Sequence, residues 1–245
     1  MSPSALAGEP GARRVSPLLL LLVILSFFLV FAGVSCNTAS IRSTIGSVEA
    51  SQGVSAAESA QASACVDALG GVNVLAYSGW QLAFGGNPAI GSVPAACKQS
   101  GGLPTLDTSS ENIGPQLLAI LGLISVFLGL VFAIAGVLGL MAARTRALIT
   151  AVFAAAAGAL LIFDQLHVRD MLLAKITSSA GSSAPGVLGI TSLFNVNPGI
   201  GLVVALAILA LAVLYNLAAL IVTPATEPVL SPEPPHPPPT LSPPP

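Results

Sequence analysis

Charge is what this chain has least of. Asp, Glu, Lys and Arg together make up 7% of its 245 residues, against 54% hydrophobic ones, whereas a soluble domain carries about a quarter charged residues. That balance excludes an ordinary water-soluble globule and predicts an integral membrane protein. Eight Lys and Arg stand against ten Asp and Glu, so no basic face is available for a nucleic acid and none is expected as a partner. Histidine occurs only twice, at His167 and His236, which the topology below puts on opposite sides of a membrane. A Ser or Cys nucleophile with a positioned base therefore has little to draw on. No glycine-rich phosphate loop with its lysine is present, and the pairs Gly85-Gly86 and Gly101-Gly102 read as turns. The chain reads as a non-enzyme without catalytic residues, metal ligands or cofactors. Three cysteines allow one intramolecular bridge at most.

What is abundant is uninterrupted apolar sequence. Two long runs without Asp, Glu, Lys, Arg or His, residues 115–142 and 147–163, flank Ala143-Arg144-Thr145-Arg146. At ~1.5 Å per residue each can cross a hydrocarbon core of roughly 30 Å. They read as a helical hairpin, second and third spans at 115–142 and 147–166, with a basic turn at 143–146 that the excess of Arg places in the cytosol. A first apolar run, 17–35, follows Arg13-Arg14 and is too long for a signal h-region of ~7–15 residues, which favours a retained first span. Two other readings stay open: cleavage as a signal peptide, or lipidation at Cys36. A last span is expected at 199–222, between Pro198 and the Thr223-Pro224 stop. The resulting fold class is an all-α integral membrane protein with four transmembrane helices and both termini cytosolic.

The rest is assigned by composition. Residues 1–16 form a short cytosolic segment. Residues 36–114 form an extracytoplasmic domain, with a short helix leaving the first span and a strand-like hairpin bent at Ser78-Gly79. Residues 167–198 carry an amphipathic helix and loop, with Val168, Leu172 and Ile176 four apart. Residues 223–245, with eleven prolines in the last 22 positions, read as a disordered polyproline-like cytosolic tail.

Within this frame several residues stand out. Cys65 and Cys97 lie in the domain facing an oxidising compartment and are expected to form a disulfide, leaving Cys36 free. Gly122, Gly129 and Gly136 recur every seven residues in the second span, a small-residue row suited to helix packing, or alternatively to a homo-oligomer seam. Tyr77, Trp80 and Phe84 gather three of the few aromatics. They are expected to pack onto the turn at 194–199 and the end of the bundle, or else to contact a partner. Asn216, with Tyr215 beside it, is the main polar residue inside a span, and an inter-helix hydrogen bond is its plain role. Asp164, His167 and Asp170 share helical spacing, but three polar residues where a helix emerges into water read as a solvated collar.

The order of these features resembles a family of small bacterial four-span membrane proteins. The resemblance rests on Val34-Ser35-Cys36, on Ser78-Gly79-Trp80-Gln81-Leu82-Ala83-Phe84-Gly85, on the helix pair with its basic turn, and on Pro198-Gly199 ahead of a last helix carrying Asn216. It implies the topology and a bacterial envelope, and no activity. The function expected is that of a non-catalytic binding, scaffolding or sensing protein of the cell membrane. Its partners would be the lipid bilayer and an envelope protein or a second copy. A small transporter or channel subunit is the alternative.

Overall fold

The computed structural model describes residues 14–52, 55–92, 94–98, 113–179 and 191–222. The polyproline reading of the tail concerns residues outside this set. Eight α-helices are described: α1 (Val15–Ser26), α2 (Thr38–Gln52), α3 (Ala56–Leu69), α4 (Gly79–Phe84), α5 (Ala95–Lys98), α6 (Leu117–Val137), α7 (Ala143–Ser179) and α8 (Ile200–Val222). Four strands accompany them: β1 (Val30–Cys36), β2 (Asn73–Ser78), β3 (Ala89–Ile90) and β4 (Phe194–Pro198).

Three helices, α6, α7 and α8, are long and apolar enough to cross a membrane. With the shorter α1 they close a ring in which α1 packs on α6, α6 on α7, α7 on α8 and α8 on α1. Without a hydrophobic drive between helices in lipid, such packing relies on small residues that let backbones approach. The ring supplies them: Ala119, Gly122, Gly129, Ala133 and Gly136 of α6 are buried, as are Ala147, Ala151, Ala154 and Ala157 of α7. Large side chains such as Leu128, Val131, Ile162 and Leu211 point away from the ring.

The α6–α7 turn differs from expectation by one helical turn. α6 stops at Val137, and Gly139 takes φ 78°. Its N–H bonds to the Gly136 carbonyl at 3.2 Å, and the Leu140 N–H to that of Ala135 at 3.0 Å. This is the Schellman ending that a glycine just past the helix allows. Arg144 and Arg146 consequently lie in the first turn of α7 rather than in the loop. α7 then runs unbroken for 37 residues, about 55 Å, because no proline interrupts it. The separate amphipathic helix expected after residue 166 is the far end of this rod, and its Val168 and Leu172 are buried in the core.

The first apolar run also departs from a single helix. α1 covers only 12 residues, and Val30 onward is extended. β1 lies inside a sheet of order β3-β2-β1-β4, antiparallel throughout. The all-α expectation is corrected accordingly: the strand-like segment is β2 alone, its partners are β1, the tail of the first apolar run, and the short β3, while β4, the segment leading into α8, pairs on the far side of β1. The face of Ala32, Val34, Leu75, Tyr77 and Val196 joins one continuous core with Val168 and Leu172 of α7. On the opposite face Asn73 folds against Gly33, and Asn197 donates to Ser35 Oγ at 2.9 Å. The expected single short helix between β1 and β2 is two. Asn37 opens α2 by accepting from the Ser40 N–H, and Ser55 with Glu58 forms a capping box on α3.

Candidate functional site

The feature that draws chemistry-bearing side chains together is the junction between the sheet and the bundle. α1 ends at Ser26, and the turn that follows closes it, the Phe27, Phe28 and Leu29 N–H groups bonding to the Ile24, Leu25 and Ser26 carbonyls. α4 begins with N–H groups that have no partner within their own helix, and the carbonyls of that turn satisfy two of them. The Trp80 N–H bonds to the Phe27 carbonyl at 2.9 Å and that of Gly79 to the Leu29 carbonyl at 3.4 Å. The approach is close enough that a Cβ on Gly79 would lie 2.9 Å from Phe27 Cδ1. At its other end α4 offers the Leu82 carbonyl to the Gln116 N–H at 2.8 Å, the residue that precedes α6.

This wedge is a helix because of a signal present in the sequence. Ser78 accepts from the Gln81 N–H while the Gln81 side chain accepts from the Ser78 N–H, a reciprocal cap in the S-x-x-Q pattern. The expected bend into a second strand at Ser78-Gly79 is therefore corrected. With Leu82 and Ala83 turned inward, Trp80 and Phe84 share the outer side of α4, one turn apart. Trp80 lies parallel to Phe28 of the α1 end, ring centroids 5.6 Å apart, and 4.4 Å from Phe84. Phe28, Trp80 and Phe84 remain 63%, 43% and 50% exposed. The result is an uncharged aromatic ledge.

Two expectations about the aromatics are corrected here. Tyr77 is fully buried on the core face of β2 and is no contact residue. The 77–84 segment does not rest on the 194–199 turn either, because β1 lies between β2 and β4. Only its placement at the end of the bundle agrees. Phe28, hidden in sequence within an apolar run, is the member that sequence reasoning missed.

Near the first turn of α6 sits Asp164 of α7, the one buried carboxylate among the described residues. Its carboxylate accepts from the backbone N–H of Ala119 in the first turn of α6, where Gln116 makes no side-chain cap. An acid on one helix thus caps its neighbour, favourably placed for the helix dipole. The Oδ1 atom has no partner. Gln116 donates instead to the Gly114 carbonyl at 2.8 Å and to Met171 Sδ. His167 and Asp170 are exposed, and among the described residues no group of three His, Cys, Asp or Glu could hold a metal ion.

The remaining singled-out residues are placed as follows. Cys65 and Cys97 form a disulfide, tying α3 to α5. Cys36 is a free, half-buried thiol whose pKa burial pushes up. Gly122, Gly129 and Gly136 all face α7, against Leu161, Phe153 and Arg146 respectively. At the opposite end of the bundle Asn216 is buried between α8 and α1. It accepts from Ser16 Oγ at 3.0 Å and donates to the Ala212 carbonyl at 2.7 Å. Inter-helix hydrogen bonds in membranes average about 0.6 kcal/mol and reach about 1.7. A cycle of Ser16→Ala and Asn216→Ala is expected to return a coupling in that range; additive single losses would mean that the bond contributes nothing.

No protein-family model, curated protein or solved structure matches this chain.

Proposed function

We propose that this chain is a non-catalytic, membrane-anchored binding protein of a bacterial envelope that holds its sheet and helices α2, α3 and α5 outside the cytosol for a protein partner. In this reading α1 completes a four-span bundle, both termini are cytosolic, and the likeness to small four-span bacterial membrane proteins reflects a shared plan. The observation that carries it is continuity between the bundle and the outer layer. β1 prolongs the run that begins with α1, and β4 leads directly into α8. The outer layer is therefore seated rigidly on the bundle, as a presenting surface requires and as a flexible tether would not provide. The same continuity favours a retained first run, since cleavage before Cys36 would remove β1, an inner strand of the sheet.

Orientation is tested by reporter fusions, expected to be cytosolic after residue 145 and at 230 and external after residue 70; the reverse pattern overturns it. Partner contact is tested by photo-crosslinking in native membranes from the exposed α3 positions Ala57, Ala60 and Ala64, with Val203 on the bundle as the comparison. Protein adducts are expected from α3 and not from Val203. Adducts from Val203 alone would place the interface on the bundle instead.

The transporter reading is favoured by one observation, the unpartnered buried oxygen of Asp164, since ionisable groups at membrane depth often mark a pathway. Asn216, expected to matter in that case, is already bonded to Ser16. Solute flux in liposomes that is abolished by Asp164→Asn would replace the binding reading with this one.

A further inference from the structure

The aromatic ledge lies at a height that the bundle itself defines. α6 is 21 residues long, about 31 Å, close to the roughly 30 Å of a hydrocarbon core. Its first turn must then sit at one edge of that core when its last turn sits at the other. α4 is fastened to that first turn through Gln116 and Leu82, and to the end of α1 through Phe27 and Trp80.

The ledge is also continuous with the lipid-facing surface. Along α1, Leu18, Leu21, Leu22 and Leu25 are exposed at helical spacing, and the next position of that stripe is Phe28, on which Trp80 stacks. Along α6, Leu117, Leu121, Ile124 and Leu128 are exposed in the same manner, starting beside α4. Trp80 and Phe84 therefore stand where two apolar stripes end and polar backbone begins. Tryptophan, with an apolar ring and one N–H donor, is favoured in the headgroup region for that reason.

We infer that the Phe28–Trp80–Phe84 ledge docks into the bilayer, its occupant being the glycerol and headgroup zone of the phospholipid leaflet on the sheet side. The ledge fixes how deep the bundle sits and how high the sheet stands above the membrane. This rests on the reading of the bundle as membrane-spanning, and it removes Trp80 and Phe84 from the surface offered to a protein partner.

Trp80 is the only tryptophan of the chain, so the full-length protein carries its own depth probe. Reconstituted into phosphatidylcholine vesicles containing dibrominated phosphatidylcholine, Trp80 emission is expected to be quenched about twofold more by bromines near the acyl carbonyls than by bromines near the chain ends. Aqueous iodide should quench weakly. A second protein, Trp80→Phe with Leu211→Trp on the exposed side of α8, should show the opposite depth preference; Leu214→Trp, also exposed near the middle of α8, serves if Leu211→Trp does not fold. Quenching of the second protein without quenching of Trp80 by any brominated lipid overturns the docking inference alone. Strong iodide quenching of Trp80 would put the ledge in water, and shielding from both quenchers would put it under protein; either outcome overturns it as well. Absence of lipid quenching in both proteins would instead overturn the spanning reading beneath it.

Discussion

Replacing both Cys65 and Cys97 by alanine is expected to loosen the sheet's outer half while leaving the bundle folded, a loss of roughly 3–4 kcal/mol on the chain-entropy argument for a loop of this length. The two residues are separated by 32 positions, and the loop they close contains β2, α4 and β3. Its parts are not equally held. β2 is paired with β1 over most of its length, and α4 is bonded to α1 and α6. β3 is two residues long and pairs with β2 alone, and α5 is one turn, packed on α3 where the disulfide joins them. Without the bond these last pieces lose the constraint that keeps them near their contacts. Hydrogen exchange should lose protection at β3 and α5 first, with β1 retaining it. Equal protection in the reduced and oxidised proteins would show that the bridge is dispensable.

Gly199→Val is expected to detach the start of α8 from β1 at a cost of about 3 kcal/mol, the upper end of the usual range for overpacking. A Cβ on Gly199 would fall on the Val30 carbonyl group, which is backbone and cannot swing aside as a side chain can. The Gly199 N–H is bonded to the Phe31 carbonyl at 2.7 Å, so the strain would act on the β1–β4 pairing. Gly201 repeats the constraint one step on, where a Cβ would lie 2.8 Å from that of Leu29. Gly158 supplies the comparison, since a Cβ there meets nothing within 4 Å. Gly158→Ala should raise stability by roughly 0.5–1 kcal/mol, as removing a glycine from a helix interior does. The two variants are compared by thermal unfolding in detergent. Equal melting temperatures would mean that the α8–β1 contact is not tight.

Much of the site could be read before the structure, and its misreadings have definite causes. The Cys65–Cys97 pair was legible because compartment and cysteine count leave few options. α4 was legible in principle through Ser78 and Gln81, but β-branched and aromatic content punctuated by glycines resembles a strand when the cap is not weighed. β1 was not legible. An apolar run of mixed Leu, Phe and Val suits a buried helix or a buried strand equally well, and its partners β2 and β4 lie far along the chain. Phe28 was hidden for the same reason: its role depends on Trp80 reaching it from another element. Asp164 read as a solvated residue because its burial follows from the unbroken course of α7 and from the start of α6 beside it.

Sequence by itself determined that the stretches forming α6, α7 and α8 are long and apolar enough to cross a membrane, and that two of the three cysteines can be bridged. Each of these depends on residues acting locally: hydrophobicity adds along a window, and a disulfide needs two thiols in an oxidising place. Tertiary structure alone decided that the first apolar run splits into helix and strand, that β1 separates β2 from β4, and that Trp80 stands on Phe28. Those outcomes hang on unpaired backbone groups at helix ends and strand edges, which are alike in every residue. What satisfies them is whichever element arrives beside them in three dimensions.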